Sequence, residues 1–389
     1  MISHQKLLLK KGSEELLSSL NLYRCNLNIA LSCDDLLIRD HYTEIVETLG
    51  MVYEDSTIYT LVHKEKAMLG TIELRKIRST YLSHKIKDRE HLAKNSFLIP
   101  NAASNLFIPC SVDLIINISN GMSSGIRKCE NTKLITYFYD HYYLNRKDKV
   151  LREKIFKSYI TKWSKAALCM SDEIWVPNES VKKYVETFYE GPVSIVAPPF
   201  NISDYPLTPK EGKEFDYYAI NAKGVDENCA NELISFLDQY NMKYVFFGED
   251  AHLDEIKLGE EDPRFMGVRC SGELAPMLGN ARALIDISET AFPEDILKAL
   301  SSGRPVIAKD SELFKSYLGE FGLIWTNGSS SELIDAIKDM NNLYHTYDRR
   351  KLYNIATNFH DIKFKSDVKR RVDHILSNDH VHNGADCCN

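Results

Sequence analysis

Two doubly wound α/β domains are what this chain predicts, and three observations carry that expectation. Apolar runs of strand length alternate with helical stretches, as they do when a parallel sheet is covered on both faces. The alternation pauses at a polar, proline-rich stretch, residues 197–212, and then restarts. The 389 residues suffice for two domains, at roughly 100 to 200 residues each, each able to bury its own core.

The elements follow in order. An amphipathic opening segment, residues 1–25, predicts a helical extension, and residues 26–205 a first domain. Asn28 to Ser32 reads as its first strand and Tyr42 to Leu49 as the following helix. Ser56 to Val62, Asp113 to Ile118 and Lys133 to Phe138 read as further strands. A long helix from about Lys149 to Met170 precedes the strand Glu173 to Val176, a helix near Glu179 to Thr187, and the strand Val193 to Val196. The stretch from Ala197 to Gly212 suits a linker, which puts the division near residue 205. In the second domain, residues 206–345, strands are expected at Asp216 to Ile220, Lys243 to Phe247, Ala283 to Ile287 and Pro305 to Ala308. Helices are expected at Glu227 to Tyr240, Glu273 to Leu278, Glu294 to Ser301, Ser311 to Tyr317 and Ser331 to Leu343. Residues 346–376 predict a helical segment crossing back towards the first domain, and 377–389 a flexible tail.

Composition narrows the function classes. With 44% apolar and 26% charged residues and a formal charge of -7, disorder, collagen-like repeats and a disulfide mini-protein are excluded. No apolar run approaches the ~20 residues of a membrane span. The opening residues carry a three-leucine core and no small-residue cleavage site, so no signal peptide is expected. Nine cysteines, an odd number with no CxxC, predict reduced thiols and a cytoplasmic location. The mild acidity argues against nucleic acid as a partner.

One stretch of the second half is specific. Phe265-Met266-Gly267, Gly272 to Leu278 and Asn280 to Ile285 lead into Glu289-Thr290-Ala291-Phe292-Pro293-Glu294-Asp295-Ile296-Leu297-Lys298-Ala299-Leu300, closed by Gly303-Arg304-Pro305-Val306-Ile307-Ala308. This run resembles the donor-binding signature of retaining GT-B glycosyltransferases of family 4. Ile29 to Leu49, Leu134 to His141, the basic helix after it and Asp172 to Ser180 resemble the mannosyltransferase branch that builds bacterial surface polysaccharides. The resemblance covers roughly residues 27 to 345.

It implies a GT-B fold of two Rossmann-like domains facing a cleft. It also implies transfer of a hexose, mannose favoured, from a nucleotide-sugar to a glycan or lipid-linked acceptor with retention of configuration. GDP-mannose is the donor it favours. Cleaving such a donor develops negative charge on a diphosphate, which the protein must stabilise. The helix N-terminus at Pro293-Glu294 supplies backbone donors, and Pro293 is a standard opening residue. No metal is expected, because protein cations do that work and no Asp-x-Asp pair stands where a metal-dependent transferase places one.

The departures are specific too. Lys223 stands at the family's arginine, but Asn228 (or Glu227) replaces the lysine of its basic pair. Lys298 replaces the ribose-binding glutamate, and Thr290 the first glutamate, with Glu289 and Glu294 nearby. A lysine accepts no hydroxyl hydrogen bond, so Lys298 is expected to restore the cation lost at Asn228. The glycine loop after the first strand becomes Arg39 to Glu44, without glycine, and its carboxylates would repel a diphosphate. Tyr139 takes the place of the cleft-floor histidine, with Asp140 and His141 following. Asp140 and His141 are therefore the expected catalytic pair, and Lys223, Glu289, Glu294 and Lys298 the expected donor contacts. The alternative is a catalytically degenerate GT-B protein that binds a glycan or partners an active transferase.

Bland readings stand beside these. Asp140-His141 equally suits a capped strand-to-helix loop, and His41 an exposed loop histidine. Residues 146–165 hold eight basic and two acidic side chains, +6 in a chain of net -7. An amphipathic helix with a solvated basic face explains this. The sharper expectation is peripheral contact with an anionic membrane surface. Gly303 reads as a helix C-cap.

Overall fold

The structure is a computed structural model that describes residues 27–383, apart from 69, 140–150, 209–216, 249–261, 268 and 291. The expected extension at 1–25 and the pair Asp140-His141 fall outside the described residues. Two units divide the chain: Met1–Val176 with Lys183–Ser194, and Pro177–Lys182 with Ile195–Asn389. The division thus precedes the proline-rich stretch instead of falling at 205. The reason is local: Phe200 already pairs with the second unit, its N–H donating to Phe359 O at 2.9 Å.

The first unit holds a seven-stranded sheet in the order β3-β2-β1-β4-β5-β6-β7. Its strands are β1 (Ile29–Leu36), β2 (Thr57–His63), β3 (Ile77–Ser79), β4 (Leu114–Ser119), β5 (Lys133–Phe138), β6 (Glu173–Val176) and β7 (Val193–Ile195). Strand β1 runs four residues beyond the expected end because Asp34 and Asp35, though buried, have their hydrogen bonds met inside. Helix α1 (His41–Val52) opens with a reciprocal cap. Thr43 N donates to Asp40 Oδ1 at 3.0 Å, and Asp40 N donates to Thr43 Oγ1 at 2.9 Å. Short helices α2 (Arg89–Lys94) and α3 (Ile99–Ser104) are not expected from sequence, being too brief to show periodicity. Helices α4 (Leu151–Leu168) and α5 (Glu179–Glu186) follow. Leu61, Val62, Ile115 and Leu134 belong to one apolar cluster with Ala102 and Ile126.

The second unit holds a five-stranded parallel sheet in the order β12-β11-β10-β8-β9. These are β8 (Tyr217–Asn221), β9 (Lys243–Phe247), β10 (Ala283–Asp286), β11 (Val306–Lys309) and β12 (Leu323–Thr326). Between them run α6 (Glu227–Gln239), α7 (Ser271–Asn280), α8 (Glu294–Ser301) and α9 (Glu312–Leu318). Helices α10 (Ser330–Leu343), α11 (Arg349–Thr357) and α12 (Asp361–Asn383) close the chain. Ile220, Phe246, Ile285 and Ile307 pack with Leu333 and Ile337 in its core. Strand β12 is not anticipated from sequence; its two middle residues, Ile324 and Trp325, are only partly buried, so it lacks the buried run of β10. Helix α12 continues to Asn383, where a tail from 377 was expected. Gly303 has φ +74° and donates to Leu300 O, ending α8 as its glycine predicts.

The thiols require a correction. Cys110 and Cys129 form a disulfide, whereas the odd count predicts only reduced cysteines. Topology explains the pairing. Strands β4 and β5 are parallel neighbours with Leu114 opposite Lys133, and each cysteine lies four residues before its strand. Phe107 and Arg127 also bridge the two incoming segments.

Candidate functional site

In the second unit the chain runs outward from β8 to β9, then returns past β8 to β10. The loops after β8 and β10 therefore leave a crevice at the reversal of strand order, the usual ligand position in open α/β sheets. Gly224 brings these loops together. Its φ of +89° is left-handed, and a Cβ there would lie 3.0 Å from Ile287 O and from Ser288 Cα. A network ties their floor. Asn221 Nδ2 donates to Asp286 Oδ1 at 3.3 Å and to Asp295 Oδ2 at 3.0 Å. Ser288 Oγ donates to Asp286 Oδ1 at 2.6 Å, and Lys223 N donates to Asn221 Oδ1 at 3.1 Å.

The charges are closely balanced. Asp286 is buried, and that burial, reinforced by Asp295, raises its pKa against the hydrogen bonds from Ser288. Lys298 lies one turn into α8, with its ammonium 2.9 Å from Asp295 Oδ1 and 2.6 Å from Glu294 Oε1. Burial works against the charge of Lys298, but Asp295 and Glu294 outweigh it and hold the pKa well above the ordinary lysine range. Glu289 meets Lys309 Nζ at 2.5 Å and is otherwise largely exposed. Lys223 is exposed at the turn.

The first unit has a corresponding reversal between β1 and β4. Asp34, at the end of β1, staples the loop after β4. Its carboxylate accepts from Ser119 Oγ at 2.8 Å, Asn120 N at 2.7 Å and Ser123 N at 2.6 Å. Arg89 bridges Asp35, whose Oδ1 lies 3.0 Å from Nε, and Asp40. Asp40 is thus a helix cap with an ion-pair partner. His41 is buried, and its Nδ1 shares a 2.8 Å hydrogen bond with the Tyr139 hydroxyl. This corrects the exposed loop histidine that the sequence suggests.

No protein-family model matches the chain, and no curated protein matches it in sequence. Solved structures do match. Sucrose-phosphate synthase from Thermosynechococcus elongatus is similar at TM-score 0.67 and 12% identity, over 90% of this chain and 99% of that one. HepE of Anabaena in complex with UDP-glucose is similar at 0.63 and 14%, over 89% and 99%. WaaG, a glycosyltransferase involved in lipopolysaccharide biosynthesis, follows at 0.56 and 12%, over 86% and 95%. The fold is GT-B.

Within this GT-B chain the residues expected at the site separate. Glu294 and Lys298 come together on α8, but paired with each other, and Asp295 completes the pairing. Lys223 lies on the facing loop, and Glu289 turns to Lys309. Asp140 and His141 lie outside the described residues. Asn221, Gly224, Asp286 and Asp295 were missed. Gly224 and Asp286 carry a usable signal, a glycine and a carboxylate at the ends of two apolar strands. Among the described residues no group of three or more His, Cys, Asp or Glu is placed to hold a metal ion. No described helix is long and apolar enough to cross a membrane.

Proposed function

We propose that the chain is a hexosyltransferase that takes its sugar from a nucleotide-sugar and passes it, with retention, to a glycan or lipid-linked acceptor. The observation that carries this reading is the crevice between the loops after β8 and β10. There the left-handed Gly224 turn lets the two loops meet, and Lys223 offers an exposed cation for a diphosphate. Lys223 is the diphosphate contact, with Glu289, Glu294 and Lys298 lining the donor pocket. Asp140 and His141 act on the sugar or acceptor hydroxyls, and no metal takes part. GDP-mannose is the donor favoured by the resemblance, while the similar HepE structure is a complex with UDP-glucose. Residues 146–165 would meet an anionic membrane surface carrying the acceptor. The test is thermal shift and donor hydrolysis with both nucleotide-sugars, where a shift of the melting point with one of them supports the reading.

A second reading is favoured by one observation. The charge of Lys298 is already matched by Glu294 and Asp295, and both acids occupy the helix end that a diphosphate would need. A GT-B protein without transfer activity, binding a glycan or a partner transferase, fits that arrangement. Absence of a shift with any nucleotide or nucleotide-sugar decides for it.

A further inference from the structure

We propose a second ligand site in the second unit, away from the β8–β10 crevice, that takes a small anion carrying an apolar body. A cavity of about 410 Å³ lies between the segment Val196 to Pro198 and the start of α12. That volume falls within the roughly 300–1,000 Å³ of small-molecule pockets. Its apolar lining comes from Pro198 and the buried Phe359 and Phe364. Lys363, Asp367 and Arg370 line it from α12 at spacings of four and three, one stripe of one helix face.

The charge of this stripe points to an anion. Lys363 and Arg370 line the cavity against one acid, Asp367, net +1 in a chain of net -7, and Asp361 stands at the start of the helix outside the lining. Both carboxylates are engaged. Asp361 meets Lys365 at 2.6 Å and His360 at 2.5 Å, while Asp367 meets Arg371 at 3.1 Å and also Arg370. Burial tends to raise Asp367, but Arg370 and Arg371 outweigh it and hold its pKa below the ordinary range. Asp367 therefore stays charged and positions Arg370. The ammonium of Lys363 donates to a carbonyl, Asn358 O at 3.4 Å. An anion over Lys363 and Arg370, with its apolar part against Phe359, Phe364 and Pro198, satisfies both halves of the lining.

Phenyl phosphate is the probe, titrated calorimetrically into the full chain, with inorganic phosphate and benzyl alcohol as separate arms and a repeat in excess UDP. The proposal expects one saturable site for phenyl phosphate that persists with UDP and binds inorganic phosphate at least about tenfold more weakly. Lys363→Glu/Arg370→Glu should weaken binding by at least about tenfold, since each charge-assisted hydrogen bond contributes that much. In the unmodified protein, phenyl phosphate should also protect Lys363 from amine acylation, read by mass spectrometry, so the test survives a misfolded variant. Displacement by UDP, absence of saturable binding, equal affinity for inorganic phosphate or for benzyl alcohol, or an unprotected Lys363 would each overturn it.

Discussion

Asp35 and Asp40 share one guanidinium, that of Arg89, and a measurable pH dependence follows. Burial raises Asp35 from the ordinary 3.8 to about 6, against the pull of Arg89. Its folded pKa exceeds its unfolded value, so the folded state binds the extra proton between those limits. The stability from that proton is full below about 4 and lost as pH rises through about 6. Chemical denaturation should show the wild type losing stability relative to Asp35→Asn as pH rises across this window, with a constant difference above about 7. A second prediction concerns Lys298. Removing it leaves Glu294 and Asp295 without their cation, with Asp295 beside the buried Asp286. Lys298→Ala should cost about 2 kcal/mol of stability in denaturant titrations, less than the 3–5 kcal/mol of a fully buried pair because the carboxylates are partly exposed. The sequence motif assigns this lysine to the donor alone. Its local partners are legible at i−3 and i−4, and the motif passes over them.

Elements were legible where they were long or apolar, as β4, β5, α6 and α10 show. They were missed where burial was decided by neighbours, as in the four residues of β12 and the three of β3. The Cys110–Cys129 link belongs to this scale, since it follows from the register of β4 against β5, which a cysteine count cannot supply. It closes a loop of 19 residues. Cys110→Ser/Cys129→Ser should therefore lower stability by about 3 kcal/mol on chain-entropy grounds, and unchanged melting would show that the link contributes nothing. The Gly224 turn offers a sharper test of how the loops meet. Gly224→Ala places a Cβ at φ +89° against the β10 loop backbone. It should cost about 1–3 kcal/mol and weaken nucleotide binding together with stability.

For the whole molecule, two parallel α/β sheets joined by one chain were readable from alternation and length. The boundary near 205 was not, because Phe200 joins the second unit through backbone pairing with Phe359 instead of serving as a linker. The candidate crevice was half legible. Its motif residues Glu294 and Lys298 fell on the expected helix, while Asn221 and Asp286, which organise the floor, belong to no motif and meet only through strand order. The most direct test of nucleotide-sugar use is an equilibrium titration of the folded chain with UDP-glucose and with GDP-mannose, repeated on Lys223→Ala. The crevice between β8 and β10 predicts saturable binding of one donor, weakened by about tenfold or more when Lys223 is removed. Binding of neither, or binding indifferent to Lys223, would contradict it.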